Sequence, residues 1–215
     1  MKRNILFALQ LLSTLFALSA CATPLTYSAK EIRGQIVDAE TNEPIENAVI
    51  VAQWILFEIG VGHHKRLHIE ETVTDKNGSY TISAWGPKIH PPLTKLDRED
   101  PMLAIFKSGY APLRLYNSTD RSDSLRASEW DGRVIKLKKF QGNLEDYADR
   151  IRRTISDGLP EEGKEWKSFP RMILALDAEN RHLKSLGLKK GYRATTFNIE
   201  YFDEADKAFL KRFEK

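Results

Sequence analysis

Between residues 32 and 137 the apolar positions fall into short runs with a period of two, the spacing of half-buried strands. Ile32, Gly34 and Ile36 share one face, with Arg33 and Gln35 on the other. Ala48-Val-Ile-Val-Ala-Gln-Trp54 is a β-branched run suited to a buried strand, and it extends through Ile55, Leu56 and Phe57 before Gly60 and Gly62. Residues 67–74 and 79–85 read as further strands around Lys76-Asn77-Gly78, a hairpin signal because Asn-Gly accepts positive φ. Residues 102–106, 111–116 and 134–137 complete the set, while 38–44 is turn-rich and 86–100 reads as a long Pro-bearing loop. Strands at this spacing with turn chemistry between them predict a mainly β fold, a β-sandwich over 31–140.

After Phe140 the period becomes helical. Leu144, Tyr147, Ala148 and Ile151 follow the three-four spacing, with Asn143 placed to cap them. Ser168 is placed to cap a second helix running to about residue 186, with a stripe of Phe169, Met172, Ile173, Leu176, Leu183 and Leu186 and with Gly187 as its C-cap. Residues 201–213 put Phe202, Ala205, Phe209 and Phe213 near one side of a third. The α-helical C-terminal region, 141–215, therefore needs a surface to cover. That surface is either the sandwich and its neighbouring helices or a partner bound by a helical arm.

The start of the chain has a different pattern. Lys2 and Arg3 precede an apolar run over 5–18, too short to cross a hydrocarbon core of roughly 30 Å comfortably and suited to a signal-peptide core. The run ends in Leu18-Ser19-Ala20-Cys21, with Ala22 next. This resembles the lipobox of bacterial lipoproteins. The resemblance implies a signal peptide over 1–20, diacylglyceryl transfer to the Cys21 thiol, cleavage before it, and further acylation (palmitate or a similar chain) of the new amine. Residues 21–30 then form a tether. Ala22, where Asp would favour the inner membrane, implies the outer membrane facing the periplasm. The alternative is an ordinary leader cut at Ala20-Cys21-Ala22, an A-x-A site.

Removing residues 1–20 takes away Lys2 and Arg3 and no acid, so the formal charge falls from +3 to +1. A nearly neutral chain lacks the basic face of a nucleic-acid binder. Cys21 is the only cysteine, so no intramolecular disulfide is available and stability has to come from the core.

Four segments carry a second resemblance: Ile32-Arg-Gly-Gln-Ile-Val-Asp38, Asn42-Glu-Pro-Ile-Glu-Asn-Ala-Val-Ile50, Thr72-Val-Thr-Asp-Lys-Asn-Gly-Ser-Tyr80 and Lys107-Ser-Gly-Tyr110. In this order they are similar to the carboxypeptidase regulatory-like domain, over roughly 31–140. The resemblance implies a seven-stranded, transthyretin-like or Ig-like β-sandwich and no catalysis. Each motif residue also has a local reason. Gly34 lets its strand approach a neighbour, Asp75 bonds its own turn, Gly78 takes positive φ, and Gly109 permits a bend before Tyr110.

Candidate chemistry is sparse. His68 and Glu71 have the H-x-x-E spacing of a zinc pair, but in a strand positions i and i+3 face opposite sides. His63, His64 and His68, with His90, are candidate metal ligands. Asp75, Asn77, Asp97, Glu99 and Asp100 offer oxygen ligands without an EF-hand spacing. Trp54, Trp85 and Trp130 are candidates for stacking on sugar rings, with strand-end core packing as the plainer role. No nucleophile context such as G-x-S-x-G occurs.

The sequence thus points to a lipid-anchored, non-catalytic envelope lipoprotein that binds or scaffolds, with no cofactor. Its partners are the membrane through Cys21 and an envelope protein or glycan, not nucleic acid. The alternatives are a carbohydrate-binding lipoprotein and, behind that, a metal-dependent hydrolase.

Overall fold

The computed structural model describes residues 24–214 apart from 59, 61, 63, 98, 119–122 and 161–164. The described residues form a mainly β body with an α-helical C-terminal part. Eleven strands are present: β1 (Thr26–Ala29), β2 (Ile32–Asp38), β3 (Val49–Glu58), β4 (His64–Val73), β5 (Ser79–Ile82), β6 (Trp85–Ile89), β7 (Thr94–Leu96), β8 (Met102–Phe106), β9 (Leu113–Leu115), β10 (Leu125–Arg126) and β11 (Arg133–Leu137). Three helices follow: α1 (Leu144–Thr154), α2 (Pro170–Ser185) and α3 (Glu204–Lys211).

The strands make three sheets, ordered β10-β1-β6, β11-β2-β5 and β4-β3-β8-β9, with β7 also on β3. β8 pairs the first half of β3 (Val49 to Gln53) and β7 the last three residues (Leu56 to Glu58). β1–β10 and β2–β11 are parallel and the other pairings antiparallel.

The period-two pattern of β3 decides the layering. Ile50, Ala52, Trp54 and Leu56 enter a core shared by all three sheets, with Ile32, Ile36, Tyr80, Ile82, Leu103, Ile105, Ile135 and Leu137. Val49 and Val51 point the other way and, with Met102, Ala104 and Phe106, form the floor on which the helices lie. Tyr147, Ala148 and Ile151 of α1 and Met172, Ile173 and Leu176 of α2 cover that floor. The helices therefore pack on the β body. Each fully buried aliphatic or aromatic side chain contributes about 1.5–3 kcal/mol, so covering the second face is a large part of the stability.

Several local expectations hold. Asn143 caps α1 by accepting from the Asp146 N–H at 2.8 Å. Gly187, at φ +99°, ends α2 with its N–H on the Lys184 carbonyl and the Leu188 N–H on the Leu183 carbonyl, a Schellman arrangement. Asp75 accepts from the Asn77 and Ser79 N–H groups at 2.8 and 2.9 Å. The Tyr80 ring lies over Gly34, where a Cβ would come within 2.6 Å of its hydroxyl.

Other expectations are corrected. The strand count is eleven among the described residues, not seven, because β1, β6, β7 and β10 lie where the sequence reads as tether or loop. β7 and β10 have three and two residues, too short to show a period, and β6 contains Gly86-Pro87. Residues 26–29 of the expected 21–30 tether form β1, where Tyr27 and Ala29 are buried. Leu186 is exposed, not part of the α2 stripe. Ser168 does not cap α2. It closes a 3₁₀ turn (Glu165–Ser168), and the residue before Pro170, Phe169, has no capping side chain.

The cap comes from the sheet. The Glu71 carboxylate on β4 accepts from the Met172 N–H at 2.7 Å and the Arg171 N–H at 3.1 Å, a hundred residues away. Its side chain is 4% exposed, and burial pushes its carboxyl up to about 7 against the two N–H groups and Arg171, which lower it. A carboxyl raised above its unfolded value binds its proton more tightly in the native state, so its contribution is fully present below the unfolded value and is lost as pH rises through about 7. Stability should therefore fall from about pH 4.5 to 7 in wild type, and Glu71→Gln should flatten that slope in urea unfolding. Glu71→Ala should cost about 1–3 kcal/mol below pH 4.5 by leaving two helix amides without an acceptor, and less as pH rises through about 7.

Candidate functional site

Cys21 and His63 lie outside the described residues, and His64 enters only as the first backbone residue of β4. His68 lies opposite Trp54 in the β3–β4 register. Its ring is 5.4 Å from that of Trp54 and 5.0 Å from that of Trp85. Lys88 Nζ is 2.8 Å from His68 Nδ1. Nδ1 faces the Lys88 amine, and Nε2 lies 3.6 Å from Glu70 Oε2. Burial works to raise the Glu70 carboxyl, but His68 and the Ser83 N–H more than offset it and leave it below its ordinary value. Both ring nitrogens of His68 thus already have partners.

Glu71 leaves β4 on the opposite side for the start of α2, so the H-x-x-E pair diverges as strand geometry requires. His90 is held elsewhere, between the Pro24 carbonyl and Thr94 Oγ1. Among the described residues no three His, Cys, Asp or Glu side chains are grouped to hold a metal ion.

Trp54 is fully buried and Trp85 is 8% exposed, packed edge to face with centroids 5.2 Å apart. Neither ring presents a face to a sugar. Trp130 is half-buried against the core, and its indole N–H donates to the Tyr116 carbonyl at 3.0 Å.

Of the candidate oxygen ligands, Asp75 bonds its own turn and Asp97 accepts from the Glu99 N–H at 3.1 Å. Asp100 is buried and accepts from the Ile55 N–H at 2.6 Å, where burial pushes its carboxyl well above the usual range. Buried Arg126 favours its charged form and donates to the Leu96 carbonyl at 3.3 Å. Sequence reasoning missed this internal pair because both residues sit in polar stretches that read as solvated loops. It missed Lys88 as a partner of His68 because residues 86–100 read as a loop, and Glu70 because neighbours two apart on one strand show no sequence signal of contact.

Two concavities stand apart from these residues. One of about 820 Å³ runs between β4 and α2 past Glu71, Thr72, Arg171 and Phe213. The other, of about 550 Å³, lies between α2 and the C-terminal segment and carries Asp177, Arg181, Lys184, Glu200, Lys207 and Lys211. Their described linings contain no Ser, Cys or His.

At the end of the body nearest Cys21, the chain is fixed from Pro24 onward. His90 Nε2–H donates to the Pro24 carbonyl, and the Tyr27 ring packs 4.9 Å from that of His90.

No family model matches the chain, and no curated protein does. Among solved structures, 3-chlorocatechol 1,2-dioxygenase from Rhodococcus opacus is 14% identical over 53% of this chain and 61% of its own, with a TM-score of 0.31. An alternative pilotin from the type II secretion system of Vibrio cholerae is 12% identical over 53% of this chain and 98% of its own, at 0.29. The C-terminal domain of the shaft pilin spaA from Lactobacillus rhamnosus GG is 12% identical over 54% and 100%, at 0.23. Likeness at these scores carries no functional argument.

If Trp54 and Trp85 are core residues, Trp54→Ala and Trp85→Ala should each cost about 3–5 kcal/mol in urea unfolding. Loss of glycan binding at unchanged stability would contradict this.

Proposed function

We propose that this protein is a lipid-anchored, non-catalytic module of the bacterial cell envelope, held by acylated Cys21 and acting as a binding or scaffold unit. The observation that carries the reading is the junction between the lipobox-like Leu18-Ser19-Ala20-Cys21 and the folded body. Pro24 is the first described residue and is already bonded to His90, and β1 starts at Thr26. Three residues of chain reach about 11 Å at most, so an anchor on Cys21 holds the body directly at the membrane surface. Ala22 favours the outer membrane with the body in the periplasm. Among the described residues no helix is long and apolar enough to cross a membrane.

The β body is best read as a transthyretin-like sandwich of the carboxypeptidase regulatory-like kind. The four motif segments fall on β2, on the turn leading into β3 and its first residues, on the β4–β5 hairpin and on the turn after β8. Their ends meet where Tyr110 Oη donates to Asp38 Oδ2 at 3.0 Å, and Asp38 also accepts from the Glu40 and Thr41 N–H groups. The Glu40 and Thr41 N–H groups hold the Asp38 carboxyl below its usual range, with Tyr110 and Lys139 assisting against burial. This polar lock joins motif residues at opposite ends of the domain and supports a structural role for them.

Cys21→Ser should lose fatty-acid labelling and leave the membrane fraction, while thermal unfolding of the body stays the same. A Cys21→Ser protein still labelled by palmitate and still pelleting with membranes would overturn the anchor. A carbohydrate partner rests on the half-buried Trp130 and its neighbour Tyr116, and Trp130→Ala should then abolish retention on envelope glycan.

A further inference from the structure

Exposed apolar side chains are unevenly placed on this molecule. The three most exposed aliphatic ones among the described residues are Leu25, Ile89 and Leu93, at 86%, 81% and 72%. All three lie at the end where the chain arrives from Cys21. Leu25 directly precedes β1, and Ile89 is paired with Thr26 across the β1–β6 ladder. Leu93 sits in the turn that follows, joined to the chain entry by hydrogen bonds: Pro24 to His90, His90 Nδ1 to Thr94 Oγ1 at 2.9 Å, and Thr94 Oγ1 to the Pro91 carbonyl at 2.7 Å. Leu93 has φ +59°, a conformation L side chains seldom adopt, and the closed turn holds its side chain outward.

The segments that carry these side chains are uncharged. Although 29% of the chain is charged, residues 22–29 and 89–94 contain no Asp, Glu, Lys or Arg. Pro91 and Pro92, also exposed, complete an uncharged rim. An exposed apolar patch of this kind marks a surface with an apolar occupant. The position of Cys21 four residues before Leu25 says which occupant, because an acyl chain on that residue brings the patch to the bilayer.

We propose that this end of the molecule is a membrane-contact face: Leu25, Ile89 and Leu93 insert into the lipid interface beside the anchor and fix the orientation of the body on the bilayer. The inference rests on the lipid-anchor reading above. The anchor supplies attachment, and the face supplies orientation. The groove beside Glu71 and the cleft at Arg181 lie in the helical layer and stay free for partners.

Because Cys21 is the only cysteine, acylation leaves no competing thiol, and single-cysteine variants Ile89→Cys, Leu93→Cys and Leu186→Cys can carry an environment-sensitive fluorophore. All three sites are exposed, so unchanged melting of each variant checks the fold. The full mature chain is reconstituted in phosphatidylcholine vesicles containing a shallow nitroxide lipid. Labels at 89 and 93 should shift to the blue and lose emission to the nitroxide, while the label at 186 does neither. Labels at 89 and 93 that behave like the one at 186, in a chain whose wild type takes up no label, overturn the face and leave the anchor standing. A blue shift without nitroxide quenching also overturns it, assigning the patch to a second copy of the chain. Wild type that itself takes up label at Cys21 overturns the anchor, and the face with it.

Discussion

The rest of the structure depends on β3 being buried on both faces. Its even positions, Ile50 to Leu56, fill the core between the sheets, and its odd positions, Val49 and Val51, need a second cover. A sheet with two apolar faces cannot stand in water with one bare. The helices after Phe140 supply the cover, which makes them part of the folded unit rather than an arm reaching for a partner. Polar links then fix their position. Glu71 caps α2 from β4, and fully buried Gln53 donates to the Gly158 carbonyl at 3.2 Å and accepts from Arg66 Nε at 3.3 Å. The Tyr147 hydroxyl of α1 accepts from the Gly109 N–H at 2.8 Å, tying the first helix to the bend that places Tyr110.

What could be read from the sequence was whatever repeats along the chain. β2, β3, β8 and β11 announce themselves by apolar runs or alternation, and the helices by their three-four spacing. Turn and cap residues whose partners lie two to five positions away, such as Asp75, Asn143 and Gly187, were legible for the same reason. Interactions across long separations were not. Ser168 has the chemistry of a cap, yet the acceptor for α2 is Glu71, whose role no local pattern encodes. Arg126 and Asp100 are buried ionisable residues in stretches that look solvated. β1 hides in a segment of small and polar residues, where only Tyr27 and Ala29 face the core.

The candidate chemistry narrows in a consistent direction. His68, Trp54 and Trp85 form one aromatic cluster, and the partners of His68 are Lys88 and Glu70. They serve the body. The features left over are an exposed apolar rim on uncharged segments where the chain leaves toward Cys21, and charged concavities beside the helices.

Acylation at Cys21 is decided by the mass of the N-terminal peptide of the mature protein, extracted from membranes. The expected mass is that of a chain that begins at Cys21 and carries a diacylglyceryl group on its thiol. A chain beginning at Thr23, cut after the A-x-A site, or one beginning at Cys21 with a free thiol, would contradict it.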